Sequence, residues 1–201
     1  MDTVLEFLRD RAEDTAANPA IYQIASDGAW QPTTWSALWS QVNTLARGLR
    51  VLGLNPGDRL AIIAPSSLEW ELTHLATLMN AGVIIGLDAH DTATRLQKVL
   101  RDAEVTGLVI KDRALLKKIF TLPPSIKFVV CMDDTISDDP APKLVSWRAL
   151  MKSGDGAALG NQALPKAESP ATIIYTSGTT GEPKGITYTH GQLAQIGRAH
   201  V

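Results

Sequence analysis

Apolar residues recur at helical spacing near the start of the chain, where Val4, Leu5, Leu8, Ala12 and Ala16 mark one face of residues 3–17. Asn18-Pro19 closes that run, because proline cannot continue a helix. Residues 20–26 (AIYQIAS) and 29–34 read as a hairpin turning at Asp27-Gly28. Thr34 is placed to cap a second helix, with Trp35, Leu38, Trp39, Val42, Leu45, Leu49 and Leu52 as its apolar positions and Gly53 as its stop. The Trp35/Trp39 pair, four residues apart, reads as core packing.

From Pro56 the pattern becomes regular. Strands are predicted over 58–64 (DRLAIIA), 83–87, 107–111 and 128–132, and helices over 66–80, 92–103 and 114–120, with Ser66 or Ser67 capping the first of these. Strands alternating with helices predict an α/β fold, a mostly parallel sheet with helices on both faces. The repeating region spans 57–152 and ends in a short helix over 147–152. Residues 153–170, rich in Gly, Ala and Pro without periodicity, read as a surface connection. Over 171–190 the chain reads strand–loop–strand: ATIIYT at 171–176 is apolar and β-branched, and ITYT at 186–189 is its return, so a β-hairpin carries the loop between them.

That loop needs chemistry to explain it. Residues 175–185 read YTSGTTGEPKG; from Ser177 onward they hold three glycines (Gly178, Gly181, Gly185), three hydroxyls (Ser177, Thr179, Thr180) and one cation, Lys184. A plain hairpin is content with about two to five loop residues. Glycine lets backbone approach a ligand closely, successive N–H groups form an anion-binding concavity, and a lysine supplies a point charge. The mixture suits polyphosphate, with an unadorned surface loop as the alternative. It is not a Walker A loop: counting from Gly178, Pro183 stands where the second glycine belongs, and Gly185 follows Lys184 where Ser or Thr is required.

Composition narrows the field without adding a site. The 201 residues are 45% hydrophobic and 20% charged, as expected of a globular domain or a domain and a fraction. Nineteen Lys and Arg against 21 Asp and Glu give a net charge of −2, so no basic excess points to nucleic acid. Cys131 is the single cysteine, lies within FVVCM, and reads as a buried, inert thiol in a reducing compartment. The charged, amphipathic start is unlike a secretory leader, and apolar runs such as 81–87 are too short to span a bilayer, so a cytoplasmic protein is expected. His90 among Asp88, Asp91 and Thr92 reads as a strand-to-helix turn with Asp91 or Thr92 capping. His74 reads as a core or groove residue. Asp133, Asp134, Asp138 and Asp139 lack the spacing of a calcium loop and read as a solvated acidic loop. His190 and His200 have no Ser/Asp or Cys partners for a triad, and Glu182 reads as solvated.

The uninterrupted YTSGTTGEPKG, followed by Thr189-His190, resembles the signature of the adenylate-forming (AMP-binding) superfamily, which holds acyl-CoA synthetases, luciferases and nonribosomal peptide adenylation domains. The wider ATIIYTSGTTGEPKG is most similar to the long-chain fatty acyl-CoA synthetase branch. The likeness extends to LGLNPGDRLAIIAPSSLEW at 52–70 and MNAGVIIGLDAHDTATRLQKVLRDAEVTGLVI at 79–110, departing at Gly86 where many members carry proline. The resemblance implies ATP and Mg²⁺, with coenzyme A as co-substrate of the whole enzyme. A carboxylic acid, in that branch a fatty acid, is activated to acyl-AMP and then to a thioester. It also implies phosphate contacts from Ser177, Gly178, Thr179, Thr180, Gly181 and Lys184, a Mg²⁺-holding role for Thr176, and a His190 that approaches the nucleotide. The family's aromatic-Gly-x-Thr-Glu segment, ribose-binding aspartate and C-terminal domain with its catalytic lysine have no counterpart here. The chain is therefore expected to be an incomplete N-terminal domain, with no catalytic residue of its own and no turnover alone. An adenylating enzyme feeding a carrier-protein thiol and a non-catalytic nucleotide-binding remnant are the alternatives, and a homodimer is left open.

Overall fold

The computed structural model describes residues 3–25, 27–119, 121–133, 139–140, 143–157, 163–177 and 182–198. Helix α1 (Val4–Asp14) begins with a capping box: the Thr3 hydroxyl accepts from the Glu6 N–H at 3.2 Å, and the Glu6 carboxylate accepts from the Thr3 N–H at 3.1 Å. Strands β1 (Pro19–Ile24) and β2 (Trp30–Thr34) form a separate antiparallel pair. Thr34 caps α2 (Trp35–Val51), as its position predicts.

The repeat that follows is β3 (Arg59–Ile63), α3 (Leu68–Met79), β4 (Val83–Leu87), α4 (Ala93–Asp102), β5 (Gly107–Ile110), α5 (Arg113–Ile119) and β6 (Phe128–Cys131). Ser67 and Thr92 cap α3 and α4 through their hydroxyls. The chain continues through β7 (Asp139–Pro140), β8 (Lys143–Ser146), α6 (Trp147–Asp155), β9 (Pro170–Ser177), β10 (Pro183–Thr189) and α7 (His190–Arg198). One sheet takes eight of the strands in the order β10-β9-β4-β3-β5-β6-β8-β7. Every pairing from β9 to β8 is parallel, and only the outer pairs β10–β9 and β7–β8 are antiparallel.

The period of two along the central strands divides the core. Leu60, Ile62, Val109, Phe128 and Val130 point to one face, where they meet α1, α2, α3 and α6. Ala61, Ile63, Leu108, Ile110, Val129 and Cys131 point to the other, covered by α4 and α5. A sheet buried on both faces explains why these strands read as continuous apolar runs.

Three features depart from the expected pattern. Strand β8, parallel to β6, and the short β7 beside it lie where the sequence predicts no strand and, at Asp139, a solvated loop; four and two residues are too few to display an alternation. Helix α6 runs to Asp155 rather than ending at 152, through Ser153 and Gly154. Packing outweighs propensity there. A Cβ on Gly154 would sit 2.0 Å from the Thr44 carbonyl oxygen, and one on Gly48 2.6 Å from that of Leu150, so the glycines let α2 and α6 cross closely. Arg47 Nε seals the crossing by donating to the Gly154 carbonyl at 2.6 Å. Among the described residues no helix is long and apolar enough to cross a membrane.

Candidate phosphate-binding hairpin

Strand β9 is docked on the sheet interior before it reaches the loop. It runs parallel to β4 with Thr172 against Ile84, and the Thr172 hydroxyl donates to the Ile84 carbonyl at 2.9 Å. Strand β10 returns along the outer edge of β9. Its register pairs Pro183 with Ser177, Lys184 with Thr176, Gly185 with Tyr175 and Ile186 with Ile174. Residues directly opposite in an antiparallel pair share a face. Thr176 and Lys184 therefore project side by side from one exposed face, at the end of the hairpin where the loop begins and returns. Gly178, Thr179, Thr180 and Gly181 lie outside the described residues, as does the side chain of Ser177.

The opposite face of the hairpin is its foundation. Ile173 and Tyr175 pack against the core under α4. Gly185, directly across from Tyr175, leaves room for that ring: an added Cβ would lie 2.9 Å from Ile173 Cγ2 and 3.0 Å from Tyr175 Cζ. Tyr175 Oη donates to Asp102 Oδ2 at 2.6 Å. Burial, then the Asp102 carboxylate, push the Tyr175 phenol well above the usual tyrosine range. On the far side of the loop Glu182, expected to be merely solvated, forms an ion pair with Lys98. Lys98 and Asp102 are four residues apart and so share a stripe of α4. That helix thus holds the hairpin on both sides of the loop. Neither residue stood out in the sequence, because their only signal is i,i+4 spacing on an amphipathic helix whose partner lies more than seventy residues away.

His190 sits elsewhere. It is fully buried at the first position of α7, and among the described residues neither ring nitrogen has a hydrogen-bond partner. Its backbone N–H donates to the Ser169 carbonyl at 3.0 Å, and Thr189 and Gln192 exchange side-chain-to-backbone bonds around it. Burial, then the neighbouring His74, lower its pKa to about 4, so the ring is neutral at pH 7. The structure brings Thr176 and Lys184 together and places the His190 ring inside the helical layer.

The remaining candidates have local explanations. Asp88 accepts from the His90 N–H at 2.8 Å, Asp91 pairs with Arg95 at 3.2 Å, and Thr92 caps α4. His74 meets the Trp70 ring edge-on at 5.5 Å and lies 3.7 Å from the Glu71 carboxylate. Cys131 is buried and its thiol pKa is raised by that burial, which fits an inert role. Of the four aspartates read as an acidic loop, Asp134 and Asp138 lie outside the described residues. Asp139 opens β7.

Comparison with known proteins gives this geometry its context. The AMP-binding enzyme family matches residues 8–200. The mouse long-chain-fatty-acid–CoA ligase ACSBG2 is 31% identical over 199 residues, covering 95% of this chain and 30% of that protein. The Mycobacterium tuberculosis long-chain-fatty-acid–CoA ligase FadD15 is 29% identical over 175 residues, covering 86% of this chain and 29% of that protein. Among solved structures, acetoacetyl-CoA synthetase from Streptomyces lividans superposes with a TM-score of 0.80 at 24% identity, over 94% of this chain and 30% of that one. The adenylation domain of a Mycobacterium chelonae carboxylate reductase gives 0.78 at 19% identity, over 96% and 35% of the two chains. An α/β sheet of this topology with a Gly/Ser/Thr/Lys hairpin at its edge is the frame of an adenylate-forming protein, and the chain belongs to the AMP-binding enzyme family. It spans about 30% of the length of the curated relatives it matches.

Proposed function

We propose that this chain supplies the ATP-phosphate-binding part of an AMP-forming acid–thiol ligase, with a fatty acid as the carboxylate substrate. The observation that carries the reading is the register that sets Lys184 beside Thr176 on an open face, at the two ends of a loop made of Gly, Ser and Thr. The carboxylate attacks the α-phosphorus of ATP, the bond to the β-phosphate oxygen breaks, and pyrophosphate leaves. The thiol of coenzyme A then attacks the acyl carbon and expels AMP.

In the first step the loop's task is electrostatic. Backbone N–H groups and hydroxyls of Ser177, Gly178, Thr179, Thr180 and Gly181 donate to the β- and γ-phosphate oxygens, and Lys184 counters the charge that grows on the leaving pyrophosphate. Holding those two phosphates also orients the α-phosphate for in-line attack. The Thr176 hydroxyl fits a Mg²⁺ ion as one oxygen among ligands drawn mainly from phosphate and water, since Glu182, the acidic residue of the loop, is engaged by Lys98. Bound there, the ion would neutralise phosphate charge. His190 enters this reading as a positioning residue: its uncharged, enclosed ring fixes the start of α7 behind the return strand. The names of the relatives support a fatty acid, and the lone buried Cys131 supports a cytoplasmic setting. The 201 residues bind phosphate but do not complete acyl-adenylate formation alone.

Calorimetric titration of the chain with Mg-ATP, beside Lys184→Ala, tests the proposal. The expected result is saturable binding that weakens about ten-fold or more in the variant, the scale of a lost charge-assisted phosphate contact. Equal binding by both proteins would remove Lys184 from the site.

A further inference from the structure

The helical layer holds an apolar cavity of about 450 Å³ between α1, β1, α2 and α3. Phe7, Leu8, Ile21, Trp35, Leu38 and Leu75 form most of its wall, and no residue of β9 or β10 contributes to it. Its volume falls within the range of about 300–1,000 Å³ that small-molecule sites occupy. An apolar wall of this kind, open on one side to solvent, gains by taking up hydrocarbon.

Charge nearby narrows the occupant. The Phe7 ring meets Trp35 edge-on at 5.7 Å and carries the Arg11 guanidinium 5.1 Å from its centroid. Arg11 is exposed, and among the described residues its guanidinium has no carboxylate partner; Arg9, on the same helix, is paired with Asp10 at 3.0 Å. A free cation thus stands one aromatic ring away from the apolar wall. The one ionisable residue of the lining, Glu71, lies 3.7 Å from His74 Nδ1, so its carboxylate has an imidazole for company.

We infer that this cavity is a second, non-catalytic site for a single-chain amphiphile with an anionic head, a medium- or long-chain carboxylate, whose tail enters the Phe7–Trp35–Leu75 cavity and whose head pairs with Arg11. It goes beyond the nucleotide reading and stands apart from it, because the two sites share no residue.

The test is calorimetry of the 201-residue chain with dodecanoate below its micelle concentration, beside dodecyltrimethylammonium, which has the same tail and the opposite charge. Dodecanoate binds once per chain and more tightly than the cation. Arg11→Gln weakens dodecanoate about five-fold, the effect of losing one solvent-facing ion pair. Ala20→Phe, which fills the cavity from β1, weakens both amphiphiles. Lys184→Ala leaves dodecanoate binding unchanged, which separates this site from the nucleotide loop. Because Ala20→Phe can perturb folding, the unsubstituted chain is also read by NMR: the dodecanoate terminal methyl gives cross-relaxation to Phe7 and Trp35 ring protons. Absence of saturable dodecanoate binding, equal affinity for the two heads, or no methyl contact to those rings would each overturn the inference. So would a dodecanoate signal arising only from chain self-association.

Discussion

At the scale of single residues, the loop's neighbours have roles that their letters alone do not reveal. Gly185 reads in sequence as one more phosphate-loop glycine, but the structure gives it a packing reason, the Tyr175 ring lying directly across the pair. Gly185→Ala should destabilise the chain by roughly 1–3 kcal/mol through that overlap, read from urea unfolding. His190 was legible as a family-signature residue at the end of the loop strand, yet no sequence pattern announces that its ring is enclosed beside His74. Its consequence is a pH dependence. The folded-state pKa, about 4, lies below the ordinary histidine value, so the unfolded chain takes up the proton first. The stability this neutral ring contributes is present above pH 6.5 and is lost as pH falls from there through about 4, a total of about 3 kcal/mol. His190→Leu should flatten the stability profile across that window relative to the unsubstituted chain. Parallel profiles would show that the ring is solvated in the fold.

At the scale of elements, legibility followed burial and length. The run from β3 to β6 was readable because each strand is apolar on both sides and each helix carries its own cap, Ser67 and Thr92 among them. β8 and the last turn of α6 were not, because the evidence for them lies in the partner: β6 alongside one, Thr44 and Arg47 against the other. The same reason hid the two supports from α4 to the hairpin. They differ in kind. Tyr175 to Asp102 is a short hydrogen bond from a half-buried phenol to a charged acceptor, whereas Lys98 and Glu182 are two long, exposed side chains. Tyr175→Phe should therefore cost about 1–2 kcal/mol of stability, and the Lys98/Glu182 double-mutant cycle less than about 1 kcal/mol. Thermal unfolding of the four variants checks the ranking; a larger effect from the exposed pair would show that Glu182 shapes the loop more than Tyr175 does.

At the scale of the molecule, the sheet divides the work. Its interior strands are buried on both faces and fix β9, while the antiparallel hairpin at its edge leaves one face open, with Ile174 and Ile186 beside Thr176 and Lys184. A rigid sheet that anchors both strands of the hairpin suits phosphate capture, since the chain leading into and out of the Gly/Thr loop is fixed in place. The proposed role of the hairpin, holding the β- and γ-phosphates, is tested by phosphorus NMR of Mg-ATP titrated with the chain. The β and γ resonances should shift and broaden more than the α resonance, and Lys184→Ala should remove most of the difference. Perturbation confined to adenine protons, with all three phosphates unchanged, would contradict it.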